Sequence, residues 1–139
     1  MTRVALLLPG QGSQAVGMGR DLAETFPEAR ELWDRADEAL GIPLSRTCFH
    51  GPAEELTRTE NAQPAILCHG YVVWRLLPPS VRDAVVVAAG HSLGEFTAYA
   101  CAGALSFEDA LRVVRRRGEL MARARNGTMA AVLGLDDER

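Results

Sequence analysis

Two short apolar runs constrain this chain most. Val4-Ala5-Leu6-Leu7-Leu8 is stopped by Pro9-Gly10, and Ala84-Val85-Val86-Val87-Ala88-Ala89 is stopped by Gly90. Neither run alternates apolar with polar residues. Each therefore reads as a strand buried on both faces, as in a parallel sheet. Helical patterns lie between and after them. Glu28 to Leu40 places Leu32, Ala36, Ala39 and Leu40 at helical spacing, and Gly41 stops it. Ile42 to Thr59 is broken by Pro43, Gly51 and Pro52 and reads as loop with a short helical turn. Pro64 suits the first turn of a helix running to about Leu77, which Pro78-Pro79 ends. Further helices are expected over about Ser92 to Gly103 and, capped by Ser106, to about Arg125. Met129 to Leu135 reads as a third strand, and Asp136-Asp137-Glu138 as the acidic start of another helix. Strands alternating with helices predict an α/β fold with a parallel sheet.

Composition narrows the function classes. The 139 residues are 47% hydrophobic and 24% charged, which fits a globular unit and not a disordered one. A net charge of -3 argues against a nucleic-acid partner. No apolar run approaches the ~18 residues of a membrane span. Met1-Thr2-Arg3 leads straight into the first strand, so no signal peptide is expected. Cys48, Cys68 and Cys101 are odd in number and scattered, which fits neither a disulfide framework nor a metal site and predicts a cytoplasmic location. All fifteen basic residues are arginine, which excludes chemistry that needs a Schiff-base or phosphate-loop lysine.

Gly90-His91-Ser92-Leu93-Gly94 matches G-x-S-x-G in the required context of buried strand, sharp turn and helix. Flanking glycines let the backbone turn tightly. Ser92 then stands exposed at a helix N-terminus as a candidate nucleophile, with the Leu93 N–H facing a developing oxyanion. The plain alternative is a turn with a capping serine.

Six arginines crowd one helix: Arg112, Arg115, Arg116, Arg117, Arg123 and Arg125. At ~100° per residue, Ala110, Val113, Val114, Met121 and Ala124 share an apolar arc, and Arg117 falls near its middle. A buried guanidinium needs an anion. A structural Asp or Glu is one partner. A substrate carboxylate, gripped through two parallel hydrogen bonds, is the other.

Gly10-Gln11-Gly12-Ser13-Gln14-Ala15 satisfies G-x-G-x-x-[GA] and permits a dinucleotide fingerprint. Pro9 disturbs that turn, and Asp34 and Asp37, about 20 positions on, lie in a helical pattern. A loop presenting a backbone amide near Ser92 fits better. A serine nucleophile also needs a base. In elbow enzymes the histidine follows the serine, and no histidine follows Ser92. His91 is expected to turn its ring away across the elbow, His69 to pack within a helix, and His50 to sit in a loop. The economical inference is a base on a segment outside this chain.

The motifs form a set. Pro9-Gly10-Gln11-Gly12-Ser13-Gln14, Asn61-Ala62-Gln63-Pro64-Ala65, Gly90-His91-Ser92-Leu93-Gly94-Glu95 and Arg117-Gly118-Glu119-Leu120-Met121 occur in order. Together they resemble the malonyl-CoA:acyl-carrier-protein transacylase family, which includes the acyltransferase domains of polyketide synthases. The resemblance spans the whole chain. It implies Ser92 as nucleophile, Gln11 with the Leu93 amide as oxyanion hole, Arg117 as the grip on the malonyl carboxylate, and Gln63 and His91 in the same substrate pocket. Leu93 in that position resembles malonyl-selective members.

The resemblance also implies a hydrolase-like α/β core over residues 1–127 and the first strand of an inserted ferredoxin-like subdomain over 128–139, where the chain stops. Malonyl-CoA would be the substrate and an acyl carrier protein, bearing phosphopantetheine, the partner. No bound cofactor is expected. Two alternatives stay open: a catalytically incomplete chain that needs a complementary one, and a nucleotide-binding α/β domain.

Overall fold

Strand β1 (Val4–Leu8) runs parallel to β2 (Val85–Gly90), with Leu8 opposite Gly90. A parallel pair requires a long crossover. Here it is helical throughout: α1 (Arg20–Thr25), α2 (Pro27–Leu40), α3 (Leu44–His50), α4 (Ala53–Thr57), α5 (Thr59–Leu76) and α6 (Pro79–Arg82). After β2 come α7 (Gly94–Cys101) and α8 (Phe107–Arg123). This is the expected α/β fold, seen in a computed structural model that describes residues 3–127, 130 and 132–134. The strand expected over 129–135 and the helix start at 136–138 fall on residues outside the described set or interrupted by them. No helix among the described residues is long and apolar enough to cross a membrane.

The core lies among the helices. Trp33 of α2 is fully buried and meets Phe49 of α3 edge-on at 5.1 Å. Tyr71 of α5 stacks on Phe107 of α8 at 4.6 Å. Helix α2 begins with Pro27 at its first turn, and it ends as its sequence predicts, where Gly41 takes a left-handed φ of 64°. Ser106 caps α8 by accepting from the Asp109 N–H at 3.1 Å.

Several expectations change. Residues 42–59 hold two helices, not loop with one turn, and α1 and α6 have no counterpart in the sequence reading. Helix α5 starts at Thr59, so Pro64 lies inside it. Proline lacks the N–H that would bond the Glu60 carbonyl. That oxygen instead accepts from Arg115 Nη1 at 3.0 Å, which removes the usual cost of an interior proline.

The strands are not buried on both faces. Leu7 is 76% exposed, and Val86 and Val87 are each more than half exposed. Burial needs a covering layer, and among the described residues α7 packs against both strands while Leu7, Val86 and Val87 stay exposed. On α8 the packed arc runs through Leu111, Val114 and Gly118, so Val113 is exposed and Arg117 lies half-buried at its border.

Candidate active site

The elbow is built by close backbone approach. The His91 N–H donates to the Leu8 carbonyl at 3.1 Å, and the Gly94 N–H to the His91 carbonyl at 2.9 Å. A Cβ on Gly90 would lie 1.9 Å from the Gly94 carbonyl carbon, and one on Gly94 would lie 2.5 Å from the Leu8 oxygen. Both glycines are therefore required by space. Between them Ser92 takes a φ of 56°, the one positive value at a non-glycine among the described residues. Such a conformation costs about 1–2 kcal/mol and points to function when the surrounding chain enforces it. Ser92 stands half-buried where β2 gives way to α7, and Leu93 is fully buried behind it.

Arg117 reaches Ser92 from α8. Its Nη2 donates to Ser92 Oγ at 2.9 Å and its Nη1 to Gln63 Oε1 at 2.7 Å. The guanidinium also lies over the Phe96 ring, 5.9 Å from its centre. Gly118 makes this reach possible. A Cβ there would sit 2.7 Å from Glu60 Cα, so α8 presses against the start of α5 only because position 118 is bare.

The other arginines of α8 divide as paired or surface groups. Arg112 pairs with Asp109, and Arg115 and Arg116 with Glu119. Arg115 also bonds the Glu60 carbonyl and Asn61 Oδ1. Arg117 has no carboxylate partner among the described residues. The structural Asp or Glu that its phase allowed is not found among them.

Polar contacts continue beyond Arg117. Gln63 is completely buried; its Nε2 donates to Thr59 Oγ1 at 3.1 Å and to Met121 Sδ at 3.4 Å. Thr59 Oγ1 in turn donates to Gln11 Oε1 at 2.8 Å. Gln11, Thr59, His91, Ser92 and Met121 line one open cavity of about 650 Å³. Gln11, Gln63, His91, Ser92 and Arg117 therefore lie together around this cavity. Thr59, Phe96 and Arg115 were not among the expected residues. The (i, i+4) spacing of Thr59 and Gln63 would have paired them, had the helix been started at Thr59.

No histidine among the described residues bonds Ser92. The His91 ring lies over Gly10, whose absent Cβ would meet Nδ1 at 2.4 Å, and it borders the cavity. His50 ends α3 and is exposed, a helical and not a loop position. His69 is packed in α5 beside Gly19, and burial lowers its pKa below the ordinary histidine value against a smaller opposing pull from Asp21. The first glycine loop does not open a helix directly: α1 starts at Arg20, five residues beyond Ala15. Asp37 spends both carboxylate oxygens on Ser45. The structural context of a dinucleotide fingerprint is thus missing.

The family model described as acyl transferase domain matches residues 6–139. The malonyl CoA-acyl carrier protein transacylase of Bacillus subtilis is 50% identical over 141 residues, covering 99% of this chain and 44% of its own length. The crystal structure of acyl-carrier-protein-S-malonyltransferase from Bartonella henselae superposes with a TM-score of 0.83 at 39% identity, over 99% of this chain and 46% of that one. A structure of a type II polyketide-synthase acyl-carrier protein in complex with its malonyl-transacylase gives a TM-score of 0.81 at 42% identity, over 86% and 39%. The chain thus spans less than half the length of these relatives. A family match across nearly all of these residues, together with an elbow serine that an arginine reaches from a neighbouring helix, places the chain in the acyl transferase domain family.

Proposed function

We propose that this chain carries the acyl-holding part of an enzyme that moves a malonyl group from coenzyme A to the phosphopantetheine thiol of an acyl carrier protein. The carrying observation is Arg117: a half-buried guanidinium beside Ser92 with no carboxylate partner among the described residues. An acyl group that ends in a free carboxylate supplies the missing anion. The names of the relatives, malonyl transacylases in each case, support the same substrate.

In this reading Ser92 Oγ attacks the thioester carbonyl. The C–S bond breaks, an ester forms on Ser92, and coenzyme A leaves as the thiol. The carrier thiol then attacks the ester, its acyl C–O bond breaks, and Ser92 regains its proton. Negative charge on the carbonyl oxygen is met by the N–H groups of Gln11 and Leu93, neither of which donates to another group among the described residues. Each such donor lowers the barrier by roughly 3 kcal/mol. The base that takes the serine proton comes from outside these 139 residues. Alone, the chain is the acyl-binding part of a catalytic unit that a complementary segment completes.

The test is steady-state transfer by the full-length gene product, with malonyl-CoA and a phosphopantetheinylated carrier protein both varied. Parallel double-reciprocal lines are expected of a covalent intermediate. Intersecting lines would replace the serine ester with direct transfer in a ternary complex.

A further inference from the structure

Thr59 opens α5, half-buried, and its hydroxyl is engaged twice. It donates to Gln11 Oε1 and accepts from Gln63 Nε2. The direction of these bonds is set from the far end. Arginine can only donate. Arg117 Nη1 therefore requires the carbonyl end of the Gln63 amide, which it meets at 2.7 Å. The NH₂ end of Gln63 must then face Thr59. The Thr59 oxygen must accept there, which leaves its own hydrogen free for Gln11, whose Oε1 lies 2.8 Å away.

Gln63 is fully buried, so water cannot replace a lost partner. Without the Thr59 hydroxyl, its NH₂ keeps only the Met121 thioether, a weak acceptor. The orientation of Gln63, and with it the aim of Arg117, would lose its anchor.

We infer that Thr59 is a positioning residue for carboxylate recognition: its hydroxyl holds the buried Gln63 amide with its oxygen toward Arg117, and so keeps the guanidinium aimed at the acyl group on Ser92. This rests on Arg117 being the malonyl grip. Thr59 acts through Gln63 and touches neither the nucleophile nor the reacting carbon.

The experiment compares wild type, Thr59→Val, Thr59→Ser, Arg117→Ala and the Thr59→Val/Arg117→Ala double variant of the full-length gene product. Each is assayed with malonyl-CoA and with acetyl-CoA. Thr59→Val is expected to raise the KM for malonyl-CoA about tenfold, the scale of one buried hydrogen bond, with a much smaller change in kcat. Acetyl transfer should fall far less. Thr59→Ser restores the hydroxyl and the malonyl KM. In the Arg117→Ala background the valine has no further effect on malonyl transfer, because the two residues act in series.

Equal losses on both substrates, a serine variant as poor as the valine one, or additive effects with Arg117→Ala would overturn the inference. So would a valine variant indistinguishable from wild type. A wild type that does not prefer malonyl, or an Arg117→Ala variant that keeps the preference, would overturn the reading of Arg117 itself. If Thr59→Val fails to fold, Thr59→Ala carries the same comparison with Thr59→Ser.

Discussion

Arg117 Nη2 rests 2.9 Å from Ser92 Oγ, joining the middle of one helix to the elbow that starts another. With no carboxylate partner among the described residues, the guanidinium donates to this hydroxyl and to the Gln63 amide oxygen. An ionised carboxylate accepts more strongly and can take both guanidinium edges. The arrangement therefore links recognition of the distal end of an acyl group to the oxygen that would carry its proximal end.

Removing that guanidinium should cost malonyl transfer far more than acetyl transfer. A bidentate charged contact corresponds to about a hundredfold in rate or affinity. Arg117→Ala is expected to lose about that much with malonyl-CoA and much less with acetyl-CoA. Arg117→Lys should recover only part, since an ammonium cannot present two parallel N–H groups. Side-by-side kcat/KM values for the two thioesters check this.

The elbow stores backbone strain at Ser92, with φ at 56°. Ser92→Ala and Ser92→Gly both remove the hydroxyl, but only glycine relaxes the backbone. Ser92→Gly should be more stable than Ser92→Ala by about 1 kcal/mol, read as a shift in the denaturation midpoint. Equal midpoints would mean the turn is not strained.

Gly118 sets two effects against each other. Replacing a mid-helix glycine with alanine favours the helix by about 1 kcal/mol. At 118 the new methyl would meet Glu60 Cα at 2.7 Å and the Thr59 carbonyl at 2.8 Å, which are backbone atoms that cannot swing aside. Overpacking of that kind costs about 1–3 kcal/mol. Gly118→Ala is expected to destabilise on balance and to weaken malonyl transfer by pushing α8 off α5. Thermal melts and the malonyl-CoA KM read the two consequences.

His69 should make stability depend on pH. Burial lowers its pKa below the unfolded value of 6.5, so the unfolded chain binds the proton more readily. Between the two values stability rises with pH, because the unfolded state holds more protons. The penalty is absent above about pH 7 and grows as the pH falls through 6.5 toward the folded value. Urea denaturation of wild type and His69→Gln at pH 5 and pH 7.5 should show a smaller loss on acidification in the variant. An equal loss would place the pH dependence elsewhere.

Fold and site were legible to different depths. Strands β1 and β2 are readable to within a residue, because unbroken apolar runs ended by glycine leave few other readings. The elbow is readable because Gly90 and Gly94 answer a contact so close that no side chain fits. What escapes the sequence is what depends on a partner far along the chain. Pro64 looks like a helix start, since nothing local says that Arg115, from α8, will satisfy the carbonyl it leaves free. That one misreading hides Thr59, which then seems to end a loop instead of facing Gln63 one turn away. Burial of the strands is misjudged for the converse reason: Leu7, Val86 and Val87 have the composition of core but lack a covering layer among the described residues.

The most direct measurement is the intact mass of the full-length gene product after brief exposure to malonyl-CoA. A gain of one malonyl group that disappears in Ser92→Ala is expected. No adduct on the wild type, or an adduct that survives in Ser92→Ala, would contradict the assignment of Ser92 as the acyl-carrying nucleophile.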